Sequence, residues 1–253
     1  MKKILVLNHK SYLTPKKAKN YALDINEYIR SDQTVIICPS NIYLPYFEGK
    51  YNFKLGAQDI SNSNITGEVT GNLLKETGVK YCLIGHHERK NLLGETSKQI
   101  NEKIKEALAN NITPIVIVGE TYYEYEMKKS GDIIAKQLKE YLYKITLDQN
   151  IIICYEPNWS FQDKQIPTKE HIMEIVQLIK TIIKRKFNEN IKVLYGGNIT
   201  KENITKIDKI PILDGYLIGK SSIEVQKIKE IFDNIEWVRQ KKLKIAIELI
   251  LFL

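Results

Sequence analysis

The 253-residue chain reads as one α/β domain. Short β-branched apolar runs alternate along it with longer stretches rich in Lys, Glu, Leu and Ile. No Pro/Gly/Ser linker or shift of composition interrupts the first 235 residues. The short runs occupy 3–8, 34–38, 53–57, 81–84, 113–118, 151–155, 191–195 and 213–218. They are continuously apolar, which suits strands covered on both faces of a parallel sheet. The clearest helical stretches between them are 16–29, 97–109, 133–143 and 169–184. Strands that alternate with helices predict right-handed βαβ crossovers. Periodicity alone leaves a closed barrel and an open doubly wound sheet both open.

Composition narrows the function classes. Hydrophobic residues make up 43% and charged residues 27%, which excludes a disordered chain. Lys+Arg number 38 against 30 Asp+Glu, a net charge of +8. The lysines are spread without a dense basic block, so no nucleic-acid partner is expected, and a small anionic substrate accounts for the charge. Cys38, Cys82 and Cys154 are too few and too far apart for a disulfide framework or a zinc cluster. Each lies in an apolar run, as an inert buried thiol does, and a reducing, cytoplasmic compartment is expected. After Met1-Lys2-Lys3 the apolar run Ile4-Leu5-Val6-Leu7 stops at Asn8-His9-Lys10. A signal peptide needs roughly 7–15 apolar residues there.

The domain is expected over 1–236, with 237–253 as an apolar C-terminal extension. Its apolar end is far short of the ~20 residues that span a bilayer. Leu243, Ile247 and Ile250 share one helical face, and docking on the body or on a partner is favoured over an interfacial helix carrying Lys241, Lys242 and Lys244. No membrane partner is expected.

In a parallel α/β sheet the C-terminal strand ends face the active-site rim. Those ends carry Asn8 and Lys10, then His86, then Glu156, then Tyr195-Gly196-Gly197-Asn198 and Gly219-Lys220-Ser221-Ser222. A base, a neutral electrophile, a cation and two glycine-containing phosphate loops fit proton abstraction beside a carbonyl in a phosphorylated substrate.

These residues and their neighbours make ordered motifs. They run Asn8-His9-Lys10, Gly56-Ala57-Gln58-Asp59, Thr66-Gly67-Glu68, Ile84-Gly85-His86-His87-Glu88-Arg89-Lys90, Gly119-Glu120-Thr121, Tyr155-Glu156-Pro157-Asn158-Trp159, Tyr195-Gly196-Gly197-Asn198 and Asp214-Gly215-Tyr216-Leu217-Ile218-Gly219. Each is weak alone; together, in this order, the chain resembles the triosephosphate isomerase family from Lys3 to about Phe232. The resemblance implies a single-domain (β/α)8 TIM barrel. It makes Glu156 the general base, His86 the neutral electrophile at a helix N-terminus, and Lys10 the cation for enediolate and phosphate. Asn8 fixes Lys10 and donates to substrate, and Glu88 pairs with Lys10. His9 points away from the site by strand alternation, His87 stands where a small residue is common and lies behind the site, and Ser61 to Asn64 are plain loop. Backbone N–H groups of Gly197, Asn198, Gly219, Lys220 and Gln162 are expected on the phosphate. No metal or cofactor is expected, because base, electrophile and cation are all side chains.

The chain departs from the family pattern in places. Asn198 stands where a serine is usual, and Lys220 replaces a second glycine. The lid, Ser160-Phe161-Gln162-Asp163-Lys164-Gln165-Ile166-Pro167, contains no glycine. Gln162 takes the place of the glycine that meets phosphate, and Asp163 sets a negative charge near a dianion, offset by Lys164. A poor lid lowers turnover and lets the enediolate lose phosphate. The loop from Asp59 to Thr66 is a few residues short, and a homodimer with a reduced interface is expected, with Glu68 reaching Arg89 of the partner subunit. The leading expectation is triose phosphate isomerisation. A tetrulose-phosphate isomerase of the erythrulose phosphate type, or a phosphate-binding barrel without catalysis, stands as the alternative.

Overall fold

The computed structural model of the protein describes residues 3–29, 34–47, 49, 51–146, 150–161 and 165–235. The 237–253 extension and residues 162–164 lie outside the described residues. Eight parallel strands close into a barrel in chain order: β1 (Ile4–Asn8), β2 (Thr34–Cys38), β3 (Lys54–Ala57), β4 (Tyr81–Ile84), β5 (Thr113–Val118), β6 (Ile152–Tyr155), β7 (Lys192–Tyr195) and β8 (Gly215–Ile218). Closure settles the choice between barrel and open sheet. At the seam β1 pairs with β8, Ile4 opposite Gly215. A Cβ on Gly215 would lie 2.0 Å from the Ile4 carbonyl oxygen, so only glycine lets these strands meet.

Around the barrel run α1 (Pro15–Tyr28), α2 (Gly71–Glu76), α3 (His87–Leu93), α4 (Ser97–Ala109), α5 (Tyr122–Glu126), α6 (Ser130–Tyr141), α7 (Lys169–Phe187), α8 (Ile204–Asp208) and α9 (Val225–Asp233). A 3-10 helix, Asn41–Phe47, connects β2 to β3. The helices match the sequence spacing with shifts at their ends. Thr96 and Thr121 each cap a helix through a reciprocal capping box. Helix α7 runs on to Phe187 and ends at Asn188, whose left-handed φ of 58° stops it. The loop at Ser61 is not plain: it bridges to Thr70 and takes an N–H bond to the Val69 carbonyl.

Strand alternation sorts the side chains into two cores. Ile4, Val6, Ile36, Cys38, Leu83, Ile115, Ile117, Ile152, Cys154, Leu194 and Leu217 fill the barrel. The other parity packs outward against the helices, where Ile25, Ile104, Leu138, Ile179 and Phe232 meet it. All three cysteines are buried free thiols.

His9 follows the outward parity, as expected. Its ring meets Tyr21 of α1 edge to face, centroids 4.4 Å apart, and neither ring nitrogen has a partner among the described residues. Burial lowers the imidazole from 6.5 to about 3, so His9 is neutral. The unfolded chain therefore binds a proton that the folded chain refuses between those two values. Stability is expected to fall as the pH drops from 6.5 toward 3. His9→Phe keeps the ring against Tyr21 and is expected to flatten that part of the curve in denaturant melts at a series of pH values.

Candidate active site

The inward parity continues past the strand ends and delivers the site. Positions 152 and 154 lead to Glu156, 194 to Gly196, 217 to Gly219 and 6 to Asn8. Glu156 is fully buried, its N–H bonded to the Val118 carbonyl at 2.8 Å. A Cβ on Gly119 would stand 1.8 Å from the Glu156 carbonyl oxygen, so β5 must be followed by glycine for Glu156 to take this place. Gly85 has φ of 79°, which breaks the alternation after β4 and turns His86 toward Glu156.

Glu156 Oε1 lies 2.6 Å from His87 Nδ1 and 3.6 Å from His86 Nε2. Its Oε2 has no partner among the described residues and stands 3.2 Å from where a Cβ on Gly196 would be. Burial pushes the carboxyl up. His86, the hydrogen bond from His87 and the charge of Lys90 outweigh it and hold the carboxyl at about 2. In this arrangement the carboxylate is a weak base, and His87 is its direct partner rather than lying behind the site.

His86 caps α3, and its Nδ1 accepts the Glu88 N–H at 3.3 Å. A nitrogen that accepts carries no proton, so Nε2–H faces the site. Burial comes first in lowering its pKa, followed by the charges of His87 and Lys10. The helix end supplies the N–H that fixes the tautomer.

Lys10 sits at φ of 50°, a strained place for a side-chain-bearing residue. Three bonds hold it there. Asn8 Oδ1 accepts the Lys10 N–H at 3.0 Å, Gln58 Nε2 donates to the Lys10 carbonyl at 2.8 Å, and Lys10 Nζ donates to Glu88 Oε1 at 2.6 Å. Burial acts to raise the Glu88 carboxyl, and the Lys10 ammonium more than offsets it. Arg89, expected to receive a partner's Glu68, has its Nε–H donated to Glu95 Oε1 at 3.2 Å within the chain and stands in an ion pair with Asp59 at 2.8 Å.

The two phosphate-loop candidates end β7 and β8. A Cβ on Gly219 would come 4.0 Å from Lys10 Cε, which puts that loop beside the cation. Lys220 is exposed and opens the 3-10 helix Lys220–Ile223. Asn198 has φ of 41°, a region asparagine tolerates better than most residues. A Cβ on Gly197 would lie 3.0 Å from Ser160 Oγ. Gln162, with Asp163 and Lys164, lies outside the described residues. The segment leading to it is anchored at Glu120, whose Oε1 accepts from Tyr155 Oη at 2.9 Å and Trp159 Nε1 at 3.1 Å. A buried indole N–H needs such an acceptor, and Trp159 was the signal in the sequence that could have found it.

His86, His87 and Glu156 place three ligand-type atoms within 4.8 Å of one another. The donor set does not suit a metal, because His86 Nδ1 is already taken by a backbone N–H and Nε2 keeps its proton.

The family model described as triosephosphate isomerase matches residues 3–235. The chain is 33% identical over 250 residues to the triosephosphate isomerase of Orientia tsutsugamushi (strain Boryong), covering 93% of this chain and 99% of that protein. It is 34% identical over 244 residues to that of Protochlamydia amoebophila (strain UWE25), covering 91% and 92%. The chain belongs to the triosephosphate isomerase family. It is therefore an isomerase of that family, and neither a tetrulose-phosphate isomerase nor a barrel without catalysis is favoured. Among the described residues no helix is long and apolar enough to cross a membrane. Triosephosphate isomerase motifs pointed to Glu156, His86, Lys10, Asn8 and Glu88, and the fold brings these together. His87, Gln58 and Lys90 stand in those motifs without a foreseen contact: Gln58, after β3, reaches the Lys10 and Cys38 carbonyls, and His87 reaches Glu156 from the loop after β4.

Proposed function

We propose that the chain interconverts dihydroxyacetone phosphate and D-glyceraldehyde 3-phosphate, and that Glu156, His86 and Lys10 carry the reaction. The supporting observation is a chain of close contacts at the C-terminal rim of the barrel: Lys10 Nζ is 2.6 Å from Glu88, Glu88 is 3.7 Å from His86 Nδ1, and His86 Nε2 is 3.6 Å from Glu156. Glu156 takes the proton from the carbon beside the carbonyl. The electron pair forms the enediolate double bond, and His86 Nε2–H donates to the oxygen that gains charge. Lys10, held by Asn8, Gln58 and Glu88, offsets that charge and the phosphate. Glu156 then returns the proton to the neighbouring carbon while a hydroxyl proton moves between the two oxygens through His86. Backbone N–H groups at Gly197, Asn198, Gly219 and Lys220, with Gln162, hold the phosphate. A coupled assay with both phosphosugars tests this. Turnover in both directions is expected, and an equal or better kcat/KM on a tetrulose phosphate would overturn it.

A homodimer belongs to the same reading. Tyr12, Ile42, Tyr46, Ile65, Leu92 and Leu93 are exposed by half or more. They lie on the connections that follow β1 to β4, four neighbouring strands, which makes one apolar face for a second copy. Sedimentation is expected to give twice the 29.4 kDa chain mass, and Leu92→Glu with Leu93→Glu to shift it toward the monomer. A cytoplasmic location accords with three free thiols and a phosphorylated substrate.

A further inference from the structure

The starts of α6 and α7 open on a cavity of about 610 Å³ that the reaction above does not use. Its walls share residues with the packing around Trp159. Tyr125 lies on the Trp159 ring at 4.6 Å, and His171 meets Tyr125 edge to face at 4.9 Å. Tyr155 Oη gives its one proton to Glu120, so it accepts from His171 Nε2 at 3.1 Å, and that edge of the imidazole is taken.

Other groups in the wall are not taken. Ser130 lines the cavity as the first residue of α6; it is 4% exposed, and its hydroxyl has no partner among the described residues. A buried hydroxyl left so is one that a bound group can satisfy. No side chain caps α6, whose ladder begins with the Ile133 N–H on the Lys129 carbonyl at 3.0 Å. The N–H groups of Ser130, Gly131 and Asp132 precede that ladder, and Gly131 has no side chain to screen them. Such a turn attracts a carboxylate or phosphate, and the hydroxyl at its first position adds a donor. The rim carries the opposite sign. Glu126 on α5 and Glu170 and Glu174 on α7 line the same cavity, against the one ammonium of Lys128. A plain anion would meet three carboxylates there. A plain cation would leave Ser130 and the helix start unmet. Tyr125 and the buried Ile175 add an apolar wall.

We propose that this cavity is a second small-molecule site, and that it takes an α-amino acid with an apolar side chain. The carboxylate meets the start of α6 and the Ser130 hydroxyl, the ammonium faces Glu126 and Glu174, and the side chain lies against Tyr125 and Ile175. A cavity of several hundred cubic ångströms is of the size that holds such a molecule. No residue assigned to the isomerase reaction lines it, so the two readings stand or fall separately.

L-Leucine tests the proposal against two analogues that each lack one charge, 4-methylpentanoate without the amine and isopentylamine without the carboxylate. Titration calorimetry on the full chain is expected to show one saturable site for L-leucine. Each analogue is expected to bind about tenfold more weakly, since each forfeits a charge-assisted hydrogen bond. Tyr125 touches both the cavity and the Trp159 ring, so L-leucine is expected to shift the Trp159 emission once Trp237, the other tryptophan, is replaced by Phe. Ser130→Ala is expected to weaken L-leucine about three- to tenfold. Glu174→Gln, at an exposed position, is expected to weaken L-leucine and isopentylamine and to leave 4-methylpentanoate unweakened. The proposal is overturned by any of four results: no heat with L-leucine, heat without a change in Trp159 emission, an analogue that binds as tightly as L-leucine, or a Ser130→Ala chain that binds it as wild type does.

Discussion

Replacing Glu156 by Gln is expected to lower kcat by about 10²–10⁴-fold, the range contributed by a positioned general base. The amide has nearly the shape of the carboxylate, and the space around it is narrow, bounded by His87 at 2.6 Å and by the glycine at 196. KM is expected to change little, since the phosphate grip proposed above lies on other loops. The coupled assay gives kcat and KM together, and circular dichroism checks that the barrel is intact. A variant that keeps wild-type kcat would remove Glu156 from the reaction. One that loses affinity alone would make it a binding group.

The largest expected effect on stability lies beneath the site, at Lys103. Its ammonium on α4 donates to both Asp59 oxygens at 2.8 and 2.7 Å and to Glu95 Oε1. Arg89 closes the group through its Nε. The three side chains around Lys103 Nζ are largely out of water, with exposures of 10% for Lys103, 13% for Asp59 and 4% for Glu95. Lys103→Met keeps the stem and removes the charge. Two buried carboxylates then share one guanidinium. Breaking such a buried arrangement costs about 3–5 kcal/mol, and the thermal midpoint is expected to fall by about 2–4 °C for each of these. Calorimetry measures it. A midpoint within a degree or two of wild type would mean that water or Arg89 already balances the acids. Because α3 carries His86 at its start and Arg89 in its first turn, kcat is expected to fall less steeply than stability.

Much of the fold was legible because burial on both faces writes itself into a strand as an uninterrupted apolar run. The runs 34–38, 81–84 and 113–118 coincide with β2, β4 and β5. Strand ends at 53, 151, 191 and 213 were drawn too early, because an apolar residue just outside a strand has the same character as one inside it. The 3-10 connection Asn41–Phe47 has no periodic signature of helix and was not foreseen. Of the site, Glu156, His86, Lys10, Asn8 and Glu88 were named from motif and position at strand ends. The Lys10–Glu88 pair and the orientation of His9 followed from the same reasoning.

The sequence by itself determined the alternation of strand and helix, the parity of each strand and the kinds of side chain at its carboxyl end, because these depend on a residue and its near neighbours. Closure of the sheet was implied by the ordered motifs, though not by periodicity, and only the tertiary structure decided that His87 rather than solvent faces Glu156 and that Arg89 turns inward to Asp59 and Glu95. Those outcomes join residues up to 211 positions apart, as at the Ile4–Gly215 seam. They depend on distances of a few ångströms between chain segments. Electrostatic and hydrogen-bond energies change steeply over such distances, and nothing in the linear order specifies them.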